Sequence, residues 1–189
     1  MSHQLETIIG YKFKNPELLE IALTHTSYAN ESRTPVKHNE RLEFLGDSVL
    51  QIVSADYLFH AYADRPEGDL TRIRASLVSE GALFQFAQEI GLGEYLRLGR
   101  GEERCGGRTR PSVVSDAFEA VIAALYLDGG MEVAQVHPAL HHRGQARRSG
   151  LQDPFAGDRA AEPGRAPELC GRKRVRPGSR QALCGGGAL

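Results

Sequence analysis

No run of apolar residues in this sequence approaches the roughly 18 needed to cross a bilayer as a helix. The N-terminal MSHQLETIIGYKFKNPELLE also lacks the make-up of a secretory signal. A soluble cytoplasmic protein with no membrane partner is the expectation. Cysteine is scarce: Cys105, Cys170 and Cys184 are odd in number, widely spaced and without a CxxC pair, which argues for free thiols and against a zinc site. Glu-x-x-His is missing as well, and its absence argues against a di-iron carboxylate bundle.

What is present divides into two parts. At 189 residues the chain suits one domain with an appendage, and its net charge of -1 conceals a reversal of sign. Residues 1–136 hold 13 Lys and Arg against 20 Asp and Glu, whereas residues 137–189 hold 10 against 4. In the second part Leu, Ile, Val and Phe number only 7 of 53 residues while Gly and Pro number 14, a composition that cannot bury a core. A disordered basic tail is expected there. Its glycines at 150, 157, 164, 171, 178 and 185 recur every seven residues, but glycine has no side chain to pack in a coiled coil.

Over residues 1–136 the apolar residues fall three and four apart, and the spacing predicts an all-α fold. Helices are expected over residues 4–9, 16–24, 39–63, 67–90 and 112–127, with Asn15 capping Pro16. The glycine-rich and basic LRLGRGEERCGGRTRP, residues 96–111, is expected to be an exposed loop.

The segment NERLEFLGDSVL, residues 39–50, holds carboxylates where apolar residues dominate. At about 100° per residue, Glu40, Glu43 and Asp47 fall within an arc of about 60°. Most of the remaining circumference is apolar, so the helix is expected to be buried on most sides. SVVSDAFEAVIAALYLD repeats the pattern, with Asp116 and Glu119 three apart in an apolar run. Buried carboxylates cost several kcal/mol each unless something offsets their charge. A ligand set made only of carboxylate oxygens favours a hard ion, Mg2+ or Mn2+, over zinc. Such ions complete their shells with water and phosphate oxygens, which points to phosphodiester hydrolysis.

NERLEFLGDSVL closely resembles the signature of ribonuclease III. The likeness extends through ALTHTSY (residues 22–28), EGDLTRIRASLV (67–78), LGEYLRLGRGE (92–102) and SDAFEAVIAALYLDGG (115–130). The resemblance implies an all-α endonuclease domain over residues 1–136. It further implies a homodimer that cuts double-stranded RNA with Mg2+ and leaves 5′-phosphate and 3′-hydroxyl ends. By resemblance Glu43, Asp47, Asp116 and Glu119 form the metal cluster, Asp47 and Glu119 are catalytic, and Glu40 and Glu67 are supporting acids. Phe44 resembles the aromatic that the family inserts into its partner subunit. Arg97, Arg100, Arg104, Arg108 and Arg110 are candidates for phosphate contacts, and His25 is expected to pack or cap.

Bacterial members continue into a double-stranded-RNA-binding domain, whereas nothing after His137 alternates as strands do. Two readings stand: a frameshift between about residues 133 and 137, or a natural basic tail. The cluster His137, His141 and His142 is read as chance. A noncatalytic RNA-binding relative is the competing function, and a ligand-free helical protein leaves the acids unexplained.

Overall fold

The computed structural model describes residues 2–135. In chain order the helices are α1 (Ser2–Ile9), α2 (Pro16–Ala22), α3 (Thr26–Glu31), α4 (Glu40–Ala61), α5 (Glu67–Leu77), α6 (Glu80–Glu89), α7 (Arg100–Arg104), α8 (Pro111–Gly129) and α9 (Met131–Gln135). Two 3-10 turns, Leu92–Tyr95 and Gly107–Thr109, flank α7. Among the described residues extended pairing is confined to one isolated parallel bridge between Thr24 and Arg97, so the all-α expectation holds.

The centre of the fold is α8. Pro111 opens it with a backbone already set for a first helical turn, and Gly130 ends it at φ 82°, a conformation glycine tolerates best. Between them Val113, Val114, Ala117, Phe118 and every residue from Ala120 to Leu125 are buried. Its alanines let neighbours approach closely, and α2, α4, α6 and α9 all pack against it. Fully buried side chains such as Leu50, Leu83 and Phe118 each contribute about 1.5–3 kcal/mol of burial.

The N-terminal segment is tied to the far end of α8 by one carboxylate. Asp128 accepts from the Tyr11 hydroxyl at 2.7 Å and from the backbone amides of Lys14 and Asn15, each at 2.8 Å. These donors hold its carboxyl below the usual range even though partial burial works the other way. Asn15 in turn caps α2, its side chain accepting from the Glu17 amide at 3.1 Å, as its place before Pro16 predicts.

Four expectations need correction. The helix expected over residues 67–90 breaks at Val78–Ser79, because the Ser79 hydroxyl accepts from the Ala82 amide and starts α6 afresh. The segment 96–111 is not simply an exposed loop: it contains α7 and a 3-10 turn, and Leu96 and Leu98 are buried. The short α3 was not foreseen. Finally, α4 is not buried on most sides, since Phe44, Ile52 and Phe59 are 79%, 57% and 69% exposed. The tail, its glycine spacing, the frameshift, His137, His141, His142, Cys170 and Cys184 lie outside the described residues, whereas Cys105 is a free and exposed thiol. Among the described residues no helix is long and apolar enough to cross a membrane.

Candidate active site

Two helices bring the acids together. Glu43 and Asp47 lie one turn apart on α4, and Asp116 and Glu119 nearly one turn apart on α8. Between Glu43 and Asp47 comes Gly46, which is buried directly against the backbone of Glu119. Any side chain at 46 would separate the helices and, with them, the two pairs of carboxylates.

The electrostatics show how closely the four interact. Burial raises the Glu119 carboxyl from 4.5 to about 7, with Asp47, Asp116 and Glu43 adding to the effect in that order. Burial, then Asp116 and Glu40, raise Glu43 as well. Asp116 is raised by burial and by Glu80, while His25 and a hydrogen bond from Ser115 work in the opposite direction. Asp47 is exposed and accepts a long bond of 3.4 Å from Gln51. The expectation of fully buried acids is therefore corrected to three half-buried groups and one exposed one.

Glu40 belongs to the group through its effect on Glu43, and its own carboxylate lies 3.7 Å from His38 Nδ1. Glu67 is exposed at the start of α5, accepts from the Thr71 hydroxyl at 2.7 Å, and is not among the acids that raise Glu43, Asp116 or Glu119. Glu80, in the first turn of α6, was missed in the sequence. It stands among the apolar residues of a helix whose approach to α8 only the fold shows. His25 behaves as a cap: its Nδ1 accepts from the Ser27 amide at 3.3 Å and lies 2.8 Å from the Ser27 hydroxyl.

The donor chemistry suits a hard cation. The carboxylates of Glu43, Asp47, Asp116 and Glu119 have no Lys or Arg ion pair among the described residues, and Glu43, Asp116 and Glu119 are held above their ordinary range by burial and then by neighbouring carboxylates. Like charges repel, however, and among the described residues no three acidic, histidine or cysteine side chains converge tightly enough to hold one ion. Holding one cation between them would require these side chains to rotate toward it.

The five candidate arginines divide sharply. Arg97 stacks 4.4 Å above the Tyr28 ring and donates to its hydroxyl at 2.9 Å. Arg108 donates to Glu103 at 2.7 Å and to the carbonyls of Gly93 and Glu94. Arg110 is paired with Glu102 at 2.6 Å and donates to the Cys105 carbonyl. These three hold the 92–110 segment together, whereas Arg100 and Arg104 project exposed side chains from α7.

The family model described as Ribonuclease-III-like matches residues 15–138, well over half of the chain and all of the acids above. The chain belongs to this family. It is 52% identical over 130 residues to Ribonuclease 3 of Listeria monocytogenes, covering 68% of this chain and 57% of that protein. Ribonuclease 3 of Clostridium perfringens is 54% identical over 131 residues, covering 69% of this chain and 55% of the relative. The chain thus spans a little over half the length of these ribonuclease III relatives. Among solved structures, the ribonuclease III nuclease domain of Campylobacter jejuni superposes with a TM-score of 0.66 at 42% identity, covering 74% of this chain and 92% of that one. That structure is described as flexible in a region involved in dimer formation.

Proposed function

We propose that this ribonuclease-III-like chain is a Mg2+-dependent endonuclease for double-stranded RNA, leaving 5′-phosphate and 3′-hydroxyl ends. The observation that carries the reading is the pair of acid couples on α4 and α8, with Glu119 pushed to about 7 and no Lys or Arg ion pair to the four acids among the described residues. A binder of polyanions has no use for such a cluster, whereas a hydrolase of phosphodiesters does. Its placement in the family and its likeness to the Campylobacter nuclease domain support the same reading.

Glu43, Asp47, Asp116 and Glu119 would hold the ion, with Mn2+ able to replace Mg2+ because both prefer oxygen ligands. When bound, a divalent ion supplies positive charge for the attacking and leaving oxygens of the phosphodiester. Asp47 and Glu119 are the residues assigned to catalysis. Without an ion, burial and the neighbouring acids raise Glu119 to about 7, so a bound cation would favour its charged form and the four acids together would favour the cation. Glu40 and Glu67 act as outer acids, and Arg100 and Arg104 supply positive charge at the rim.

A homodimer completes the proposal. Phe44, Ile52 and Phe59 recur at eight and seven residues along α4, a stripe of exposed apolar side chains that a second copy would cover. The chemistry is assigned to residues 1–136 and none of it to 137–189. A cytoplasmic setting and ribosomal RNA precursors and messenger RNA as substrates complete the reading.

The test is a long RNA duplex incubated with the purified chain, with and without Mg2+, beside Asp47→Asn and Glu119→Gln. Cuts that require Mg2+ and vanish in both variants support the reading. Duplex binding by the unaltered chain without Mg2+-dependent cuts would replace it with a scaffold.

A further inference from the structure

The residues from 24 to 31 work in two directions. Toward the acids, the Thr24 carbonyl accepts from the Asn39 amide at 2.9 Å and so fastens the entry to α4. Toward the arginines, the same stretch holds residues 97–101. The His25 amide donates to the Arg97 carbonyl at 3.1 Å, and the Gly99 amide donates to the Ser27 hydroxyl oxygen at 2.9 Å. Glu31 finishes the attachment. One of its carboxylate oxygens accepts from the Arg100 amide at 2.9 Å and the other from the Gly101 amide at 3.3 Å. The fit is close, since a Cβ at Gly99 would lie 2.6 Å from the Ser27 carbonyl oxygen and 2.7 Å from Glu31 Oε1.

Those two amide bonds are the main cause holding the Glu31 carboxyl below the usual range, with the charges of Arg100 and Arg104 adding smaller contributions. Arg100 and Arg104 feel the Glu31 charge without a direct ion pair to it, and their exposed side chains can reach a phosphate. They stand four residues apart on α7, on one side of the helix, and both are exposed. The other three arginines of the segment are committed to Tyr28, Glu103 and Glu102.

We propose that Glu31 is a positioning residue for RNA binding: it seats α7 on α3 so that Arg100 and Arg104 meet duplex phosphates at a fixed distance from the acids. This inference rests on the double-stranded-RNA reading above. It carries a sign opposite to that of simple charge. Removing an acid from beside a polyanion's path should tighten binding if charge alone matters, whereas loss of a positioning carboxylate weakens it.

The experiment compares the full chain with Glu31→Ala, Glu31→Gln, Arg100→Ala/Arg104→Ala and the triple variant. Affinity for an RNA duplex is measured by fluorescence anisotropy across a salt series without Mg2+, KM and kcat with it, and amide exchange at residues 99–101 separately. Glu31→Ala is expected to bind about tenfold more weakly, with a salt slope shallower by about two, one for each arginine. KM should rise far more than kcat falls, the 99–101 amides should exchange faster, and Glu31→Gln, which keeps an acceptor oxygen, should fall between. In the triple variant Glu31→Ala should add less than about twofold, because its effect runs through arginines already removed. Equal or tighter binding by Glu31→Ala, or unchanged exchange at 99–101, overturns the inference. If Glu31→Ala does not fold, Glu31→Gln carries the same comparison. Failure of the unaltered chain to bind the duplex overturns the functional reading itself, and this inference with it.

Discussion

Gly46 on α4 and Glu119 on α8 meet backbone to backbone: a Cβ at position 46 would sit 1.9 Å from the Glu119 carbonyl oxygen. A helix interior normally disfavours glycine by up to about 1 kcal/mol, so the residue is retained for the contact it permits. Gly46→Ala must push α8 away. It is expected to destabilise the chain by about 1–3 kcal/mol or more, lowering the melting temperature and weakening Mg2+ binding, as a thermal shift with added Mg2+ will read. Wild-type melting in this variant would mean that the helices separate without strain.

The acid cluster makes stability depend on pH in an unusual direction. Glu119 has a folded value of about 7 against an ordinary 4.5, so between these limits the folded chain binds more protons than the unfolded one. Stability in chelator therefore falls as pH rises from about 5 to 8, and the cost is fully present above about 7. Glu119→Gln should flatten the profile and melt higher than the unaltered chain at pH 8. A metal-free chain whose melting temperature does not fall over this range would contradict the prediction.

Asp128 behaves oppositely, because its carboxyl is held low by the donors it accepts from. Its contribution is present above the ordinary aspartate range and lost as pH drops through its lowered value. Asp128→Ala removes three accepted hydrogen bonds. The site is largely open to solvent, so a loss of about 1–2 kcal/mol is expected from denaturant titration at pH 7.

The exposed stripe on α4 should be covered in the assembled protein. Ile52→Asp, in the middle of the stripe, is expected to shift the chain to a monomer in sedimentation velocity, and Phe44→Ala should weaken association less completely. A monomeric unaltered chain at micromolar concentration would refute the pairing.

The long elements were legible in the sequence because their own residues specify them. α8 follows from an apolar run between Pro111 and Gly129–Gly130, and α4 from the period of Leu42, Val49, Leu50 and Val53. The acid couples could be read for the same reason, being three and four apart on single helices. What depended on distant partners could not be read. α7 is seated by Glu31, 69 residues away, and its flanking glycines argued against any helix. Arg97 looked like its neighbours in charge, yet it is taken up by Tyr28, also 69 residues distant. Glu80 acts on Asp116 only because α6 crosses α8. α3 was hidden because it is six residues long and buries none of them, so it shows no apolar period.

Glu43 and Phe44 are consecutive, so α4 presents one to the acids and the next to open solvent. A helix behaves as a rigid rod on this scale, and a carboxylate about 6 Å from its axis swings by about 2 Å when the rod rolls by about 20°. A roll of that size would move Glu43 and Asp47, and the backbone contact between Gly46 and Glu119 is what opposes it, so the tight helix crossing fixes the acids against forces on the exposed stripe.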